Sequence, residues 1–131
     1  MRAGVLDTSV FIANESGRGL DRELLPEEGY VTIITLAELE AGALAAQTPE
    51  VQAIRLRTLQ ELATVEQFDI DENAAHEWAL LRYKLARVHQ KVNVNDLWIA
   101  AVAKSRGLPI VTQGNDFDAI ADLGGPTVIH V

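Results

Sequence analysis

The sequence contains no cysteine and no long apolar run. Without cysteine, the chain forms neither disulfides nor thiolate metal sites. No apolar segment approaches the roughly 18 residues of a membrane-spanning helix. The N-terminus passes from a single Arg directly to Asp7, so it lacks the apolar core of a signal peptide. These absences predict a cytoplasmic protein that makes no contact with a membrane.

Basic residues are also scarce. The chain has 11 Lys and Arg against 19 Asp and Glu, for a formal net charge of −8. This balance argues against non-specific binding to phosphate backbones, which basic faces drive. It allows a basic protein partner, and it allows a site built from carboxylates. The 131 residues, 48% of them hydrophobic, are enough for one globular domain spanning residues 1–131.

Apolar patterning predicts strands that alternate with helices. The predicted strands are residues 3–6, 30–33, 109–112 and 127–130, with 65–70 either a fifth strand or an extended connection. Four predicted helices are residues 9–13, 35–46, 96–106 and 116–121. Two more lie between them: one starts after Thr48, and one starts at residue 71 and carries an apolar stripe that ends at residue 88. Residues 14–29 read as a loop with one short helix. The alternation predicts a three-layer α/β fold with a mainly parallel sheet of four to five short strands flanked by helices.

Four acids stand at strand ends or helix starts. They are Asp7, Glu38, Asp96 and Asp116, and we call them the acidic quartet. In an open parallel sheet, the loops after the carboxyl ends of the strands line the ligand crevice. We therefore expect the acidic quartet to converge on one site.

Three members of the acidic quartet also have a local explanation. Glu38 completes a capping box with Thr35. Asp96 lies in the first turn of a helix that Asn95 would cap, where the helix dipole stabilises a carboxylate. Asp116 is placed to cap the short helix that it begins. Asp7 follows an apolar strand directly and gains nothing obvious there. The joint pattern, rather than any single acid, favours a functional site.

Converging carboxylates need a counter-charge. Two unit charges 4 Å apart repel by roughly 4 kcal/mol at an effective dielectric constant of 20. Helix N-termini offset part of this, and a divalent cation would offset the rest. All-oxygen ligands select Mg²⁺ or Mn²⁺, as one or two ions, and the three histidines show no paired ligand spacing. Such a site is typical of phosphodiester hydrolysis. Thr8 and Ser9 would hydrogen-bond Asp7 or a phosphate, or simply cap a helix.

Four stretches in order resemble PIN-domain nucleases, specifically the VapC-type toxins of bacterial and archaeal toxin–antitoxin systems. These stretches are residues 5–9 (VLDTS), 32–39 (TIITLAEL) with Gly42 behind, 95–101 (NDLWIAA), and 110–113 (IVTQ) leading to 116–117. The resemblance implies a PIN-like fold and a metal-dependent endoribonuclease that a VapB-like antitoxin with a basic segment holds inactive. The acidic quartet matches the family's catalytic acids, with Asp7, Asp96 and Asp116 as metal ligands.

One position departs from the family pattern. The family often carries Asn or Asp two residues after the strand-end Thr, where this chain has Gly114. The fourth acid is therefore Asp116 alone, Asp116 with Asn115, or Asp118. Thr112 is expected to compensate with a supporting hydrogen bond.

Contacts with partners and RNA are less sharply indicated. Arg82, Arg87 and Lys91 precede Asp96 and are candidates for RNA contact, although a solvated helix face explains them equally well. The helical hairpin of residues 35–62 is more apolar than one core face requires, which predicts a homodimer or antitoxin interface.

Two alternatives remain open from the residues alone. One is a catalytically silent PIN-like module that only binds a partner, and metal binding would discriminate it. The other is a PIN nuclease of RNA processing that has no antitoxin. A neighbouring gene for a small DNA-binding protein with a basic tail would separate a toxin from that nuclease.

Overall fold

The predicted strands form one parallel sheet. The structure is a computed structural model that describes residues 2–131. Over those residues, the strands are β1 (Ala3–Leu6), β2 (Glu28–Thr32), β3 (Glu66–Phe68), β4 (Ile110–Thr112) and β5 (Val128–His130). They lie in the order β3-β2-β1-β4-β5, and each neighbouring pair is parallel. The segment that was either strand or connection is therefore the edge strand β3.

Helices connect the strands on both sides of the sheet. Within the described residues they are α1 (Thr8–Ser16), α2 (Ile33–Leu44), α3 (Pro49–Leu62), α4 (Glu72–Arg87), α5 (Val94–Ser105) and α6 (Asp118–Asp122), with a 3₁₀ turn at Arg22–Leu24. Consecutive side chains of a strand point to opposite faces. In β1, Val5 packs into a cluster with α4, α5 and α6, whereas Leu6 packs against a cluster with α2 and α3. The predicted three-layer α/β fold is confirmed.

The strand order creates a crevice beside β1. The chain runs from β1 outward through β2 to β3, then crosses to β4 on the other side of β1. Ligands of open α/β sheets bind where the strand order reverses in this way, beyond the carboxyl ends of the strands. The register pairs Leu6 with Val111. The next residues, Asp7 and Thr112, consequently emerge side by side.

Two helix starts differ from the prediction, and both differences concern the site. The side chain of Thr32, not Thr35, caps α2 by accepting from the Thr35 amide at 3.4 Å. The Asn93 side chain, not Asn95, caps α5. In each case an earlier polar residue has the extended backbone that a cap requires. The predicted capping box at Glu38 is wrong, and the Glu38 and Asn95 side chains have no capping role.

Smaller differences lie at other element ends. Helix α1 continues to Ser16 and ends at Gly17, whose φ of 74° suits glycine. Helix α6 starts at Asp118, so Asp116 does not cap it. Val88 is 55% exposed because α4 has ended before it, so it does not continue the buried stripe of that helix.

Helices α2 and α3 pack as the predicted hairpin and are tied to α1. The hydroxyl of Thr58 donates to Glu15 Oε2 at 2.6 Å, and Arg55 Nε lies 3.2 Å from Glu15 Oε1. A Cβ at position 42 would lie 3.3 Å from Arg55 Nη1, so Gly42 leaves room for that arginine. The hairpin also carries apolar surface, since Leu44 is 85% and Leu56 is 49% exposed. Over residues 2–131, no helix combines the length and hydropathy that crossing a membrane requires.

Candidate active site

Asp7 is buried at the end of β1, where it also caps α1. Its Oδ2 accepts hydrogen bonds from the Ser9 amide at 3.3 Å and from the Thr112 hydroxyl at 3.0 Å. The expectation that Asp7 gains nothing locally is wrong, because it caps a helix. Burial removes water and raises the pKa of the carboxyl, while the hydrogen bonds from Ser9 and Thr112 act in the opposite direction.

Ser9 and Thr112 hold the Asp7 carboxylate through a small network. The two hydroxyl oxygens are 3.2 Å apart. The Gln113 amide donates to Ser9 Oγ at 3.1 Å, and the Gly114 amide donates to Thr112 Oγ1 at 3.4 Å. The hydrogen bonds from the Ser9 amide and the Thr112 hydroxyl are both made to Oδ2 of Asp7.

Glu38 is fixed by side chains from two other helices. The Thr8 hydroxyl donates to Glu38 Oε1 at 2.6 Å, and Asn95 Nδ2 donates to Oε2 at 3.3 Å. Thr8 Oγ1 also lies 3.2 Å from Thr35 Oγ1. Sequence reasoning assigned Asn95 only a cap. Its position directly before Asp96, with Asn93 available as the cap, is the signal that would have marked it.

The pKa of Asp96 is affected by burial and by the other members of the acidic quartet. It lies half-buried in the first turn of α5. Loss of water on burial, followed by the charges of Asp7, Asp116 and Glu38, raises the pKa of its carboxyl to about 7. The carboxylates of Asp7, Asp116 and Glu38 therefore lie near enough to Asp96 to affect its pKa.

The structure distinguishes Asp116 from Asp118. Asp116 is among the charges that raise the pKa of Asp96, and Asp118 is not. Asp118 Oδ1 instead lies 3.2 Å from His130 Nε2. A Cβ at Gly114 would stand 4.0 Å from Asp116 Oδ2, so the Asp116 carboxylate approaches the place where the family often has its polar residue.

The donor set suits a hard divalent cation. The acidic quartet offers only oxygen atoms, which Mg²⁺ and Mn²⁺ prefer. Within residues 2–131, no three acidic, histidine or cysteine side chains already stand close enough together to hold an ion. Mg²⁺ usually takes one or two carboxylates and completes its shell with water and substrate phosphate, which this more open arrangement allows.

The candidate RNA contacts separate into two groups. Arg82 and Lys91 line a pocket with Trp78, between α4 and α5. Arg87 instead lies over the Tyr83 ring at 5.7 Å and donates to its hydroxyl at 3.0 Å. Only the first two cations therefore face a concave surface.

Comparisons with known proteins place the chain in a family. The PIN domain profile matches residues 4–123. The chain is 52% identical over 129 residues to ribonuclease VapC5 of Mycobacterium tuberculosis, covering 98% of this chain and 96% of that protein. It is 42% identical to ribonuclease VapC4 of the same organism, covering 94% and 95%. A crystal structure of a member of the VapBC family of toxin–antitoxin systems, VapBC-5 from Mycobacterium tuberculosis, shares a TM-score of 0.93 and 48% identity over 100% of both chains.

These matches cover the four motifs that carried the resemblance, together with the elements between them. The family model begins within β1 and ends just after α6. It therefore includes every member of the acidic quartet. The chain belongs to the PIN domain family.

Proposed function

We propose that this protein is a metal-dependent endoribonuclease and the toxin of a VapBC-type toxin–antitoxin pair, acting in the cytoplasm. The observation that carries the proposal is that Asp96 is half-buried near the other three acids. Burial, and then the charges of Asp7, Asp116 and Glu38, raise the pKa of Asp96 to about 7. A cluster of like charges at the crevice of an α/β sheet destabilises the protein, and a bound cation offsets that repulsion. Such a cluster is therefore typical of a functional site. The names of VapC5 and VapC4 identify those relatives as ribonucleases.

Each member of the acidic quartet has a role in this proposal. Asp7, Asp96 and Asp116 supply oxygen ligands to one or two ions of Mg²⁺ or Mn²⁺. When bound, such an ion lowers the pKa of a water molecule and neutralises charge on the phosphate. Glu38, held at both oxygens by Thr8 and Asn95, accepts a hydrogen bond from the attacking water and orients it.

Hydroxyl groups keep the ligands in place. The Thr112 hydroxyl and the Ser9 backbone amide donate to Asp7 Oδ2, and the Ser9 hydroxyl lies 3.2 Å from that of Thr112. Such partners of metal ligands commonly affect metal affinity or activity by 10–100-fold. Thr8 serves Glu38 in the same way, because its bond of 2.6 Å fixes one carboxylate oxygen.

The partner in this proposal is a VapB-like antitoxin. The VapBC-5 structure, which matches this chain over its whole length, is of a toxin–antitoxin system. A basic segment of the antitoxin would place an Arg against the acidic quartet, since guanidinium and carboxylate form paired hydrogen bonds. The net charge of −8 favours such a segment. Toxin copies are expected to associate as homodimers.

Cleavage of structured RNA tests the proposed function. The purified protein should cut RNA with Mg²⁺ or Mn²⁺ and should stop in EDTA. Asp7→Asn and Asp96→Asn should each reduce turnover by at least 100-fold with the fold retained in circular dichroism. Asp118→Asn is the matched control, because its partner is His130 and it should keep activity. Cleavage that persists in EDTA, or that survives Asp96→Asn, would contradict the proposal, and absence of cleavage with either metal would favour the silent partner-binding module.

A further inference from the structure

A pocket opens between the C-terminal half of α4 and the start of α5. Its volume is about 310 Å³, within the range of small-ligand sites. The polar and aromatic lining comes from Trp78, Arg82 and Lys91, and the apolar lining includes Leu85, Val92 and Leu97. The indole of Trp78 stacks on Trp98, with ring centroids 4.9 Å apart and planes at 18°. The pocket therefore combines a fixed aromatic wall with two cations.

The cations of this pocket are free to meet a ligand. In the part of the chain that the structure describes, neither Arg82 nor Lys91 forms an ion pair with an acid. Both are exposed, although acids outnumber bases 19 to 11 in the chain. Four of those 11 basic residues lie between positions 82 and 91. This local excess of positive charge attracts an anion to an otherwise acidic molecule.

Trp78 offers its ring to an occupant of the pocket. It lines the pocket, and its indole is held in place by the stack on Trp98. Nucleobases are flat rings that stack on indole with little dependence on sequence.

The pocket and the acidic quartet share the first turns of α5. Val94 and Leu97 line the pocket, and Asp96 lies between them in the first turn of α5. The pocket and Asp96 are therefore carried by the same helical turn. A nucleotide bound in the pocket would therefore be near, along the RNA strand, to a phosphate bound at the acidic quartet.

We propose that this pocket binds a nucleotide of the RNA substrate next to the phosphate that is cut. The base stacks against Trp78, and the adjoining phosphates meet Arg82 and Lys91. The proposal rests on the ribonuclease function above, but its test measures binding and needs no cleavage. The chemistry of the pocket disfavours the basic antitoxin segment, which Arg82 and Lys91 would repel.

Tryptophan fluorescence provides the direct measurement. The protein contains two tryptophans, and both belong to the stack beside the pocket. In EDTA, a short single-stranded RNA should quench the emission, and nucleoside monophosphates should do so more weakly. The Trp98→Phe variant keeps Trp78 as its only indole and should still be quenched. Inorganic phosphate alone should produce no quenching.

Charge variants test the same site independently of the tryptophans. Arg82→Ala and Lys91→Ala should each weaken binding of that RNA about five- to tenfold and reduce the slope of log affinity against log salt by about 0.7. Arg87→Ala is the matched control, because Arg87 lies on the same helix over Tyr83 and should change both quantities much less than Arg82→Ala does. Circular dichroism verifies that each variant is folded.

Several outcomes would overturn the pocket proposal. RNA that binds without quenching, or equal losses in Arg82→Ala and Arg87→Ala, would place the RNA elsewhere. A change in oligomeric state in Arg82→Ala at unchanged RNA affinity would assign the pocket to a second copy of the chain. Cleavage that is intact without quenching refutes the pocket and leaves the nuclease function standing. Quenching by RNA in a protein that never cleaves supports the pocket and refutes the nuclease function.

Discussion

At the scale of single residues, Asp96 links stability to pH. Its folded pKa of about 7 exceeds the value of an unfolded Asp, ~3.9, so the folded protein binds this proton more tightly. The stabilising contribution is complete below about pH 4 and is lost as pH rises through 7. We expect the melting temperature of the metal-free protein to fall across this range, and Asp96→Asn to weaken the fall and to melt higher than wild type at pH 7.

Metal should reverse the same effect. Mg²⁺ or Mn²⁺ at neutral pH should raise the melting temperature of the wild type, because a ligand that binds only the folded state stabilises it. The increase should be much smaller in Asp96→Asn. Differential scanning calorimetry of both proteins, with and without metal, measures these changes, and Asp118→Asn serves as the control. If Asp96→Asn melts lower than wild type without metal, the acids act only as helix caps.

Two asparagines at the start of α5 make different hydrogen bonds. Asn93 caps α5, and Asn95 donates to Glu38 at 3.3 Å. Asn95→Ala should therefore lower kcat about tenfold with little change in KM or melting temperature, because Glu38 loses one of the bonds that orient it. Asn93→Ala should keep kcat and lose about 1 kcal/mol of stability. Steady-state kinetics and urea unfolding of both variants check this, and equal behaviour of the two would contradict it.

Local capping patterns do not show which side chains cap the helices of this protein. Thr35 and Glu38 match the spacing of a capping box, but Thr32 has the same hydroxyl and precedes the helix. Only the tertiary position of Thr8 shows that Glu38 faces another helix. For Asp7 the sequence indicates no local role, but the residue that follows strand β1 is also the N-cap of α1. A side chain's partner across the sheet cannot be read from its sequence neighbours.

At the scale of elements, α1 and α3 are joined by a buried carboxylate. The Glu15 side chain is 7% exposed and takes a hydrogen bond from Thr58 and an ion pair from Arg55. Arg55→Ala should destabilise the fold by about 1–3 kcal/mol, because removing one partner leaves a buried charge uncompensated. Arg57→Ala, on the exposed part of α3, should change stability by less than about 0.5 kcal/mol. Urea unfolding measures both, and equal values would show that the pair contributes nothing.

The α2–α3 hairpin should bind the antitoxin. Leu44 and Leu56 are exposed apolar residues on its surface, which favours an amphipathic partner helix. Leu44→Glu should abolish copurification of the antitoxin and leave RNA cleavage unchanged. Leu80→Glu is the control, since Leu80 is 48% exposed on α4 and lies outside the hairpin. Retained copurification with Leu44→Glu, or equal loss with Leu80→Glu, would place the antitoxin elsewhere.

Periodic segments were predicted well because their burial is set by spacing alone. Ala74, Leu81 and Leu85 of α4 are buried as the apolar stripe indicated. Helix α5, apolar nearly all round, is the core helix that this composition predicts. The ends of elements were harder. Residues 14–16 extend α1 although their polar sequence resembled a loop, because Ala13 packs into the core and Gly17 supplies the left-handed C-terminal residue.

At the scale of the whole molecule, the fold followed from alternating strands and helices, whereas the pocket at Trp78 did not. The sequence predicts that the acidic quartet converges because parallel topology sends all strand ends to one edge, and in the structure Asp7, Asp116 and Glu38 do affect the pKa of Asp96. The separation of Arg82 from Arg87 depends on how α4 packs against α5, which a charge pattern does not show. The net charge of −8 reflects the whole chain and does not reveal this local cationic pocket.

The central place of β1 makes the site depend on contacts between distant parts of the chain. The Thr112 hydroxyl donates to Asp7 across 105 residues, so this support forms only after β4 has been synthesised and has paired with β1. Contacts of such long sequence separation form slowly. A nascent chain on the ribosome therefore lacks the support of its first acid until β4 has emerged, and we expect it to cut no RNA during that interval.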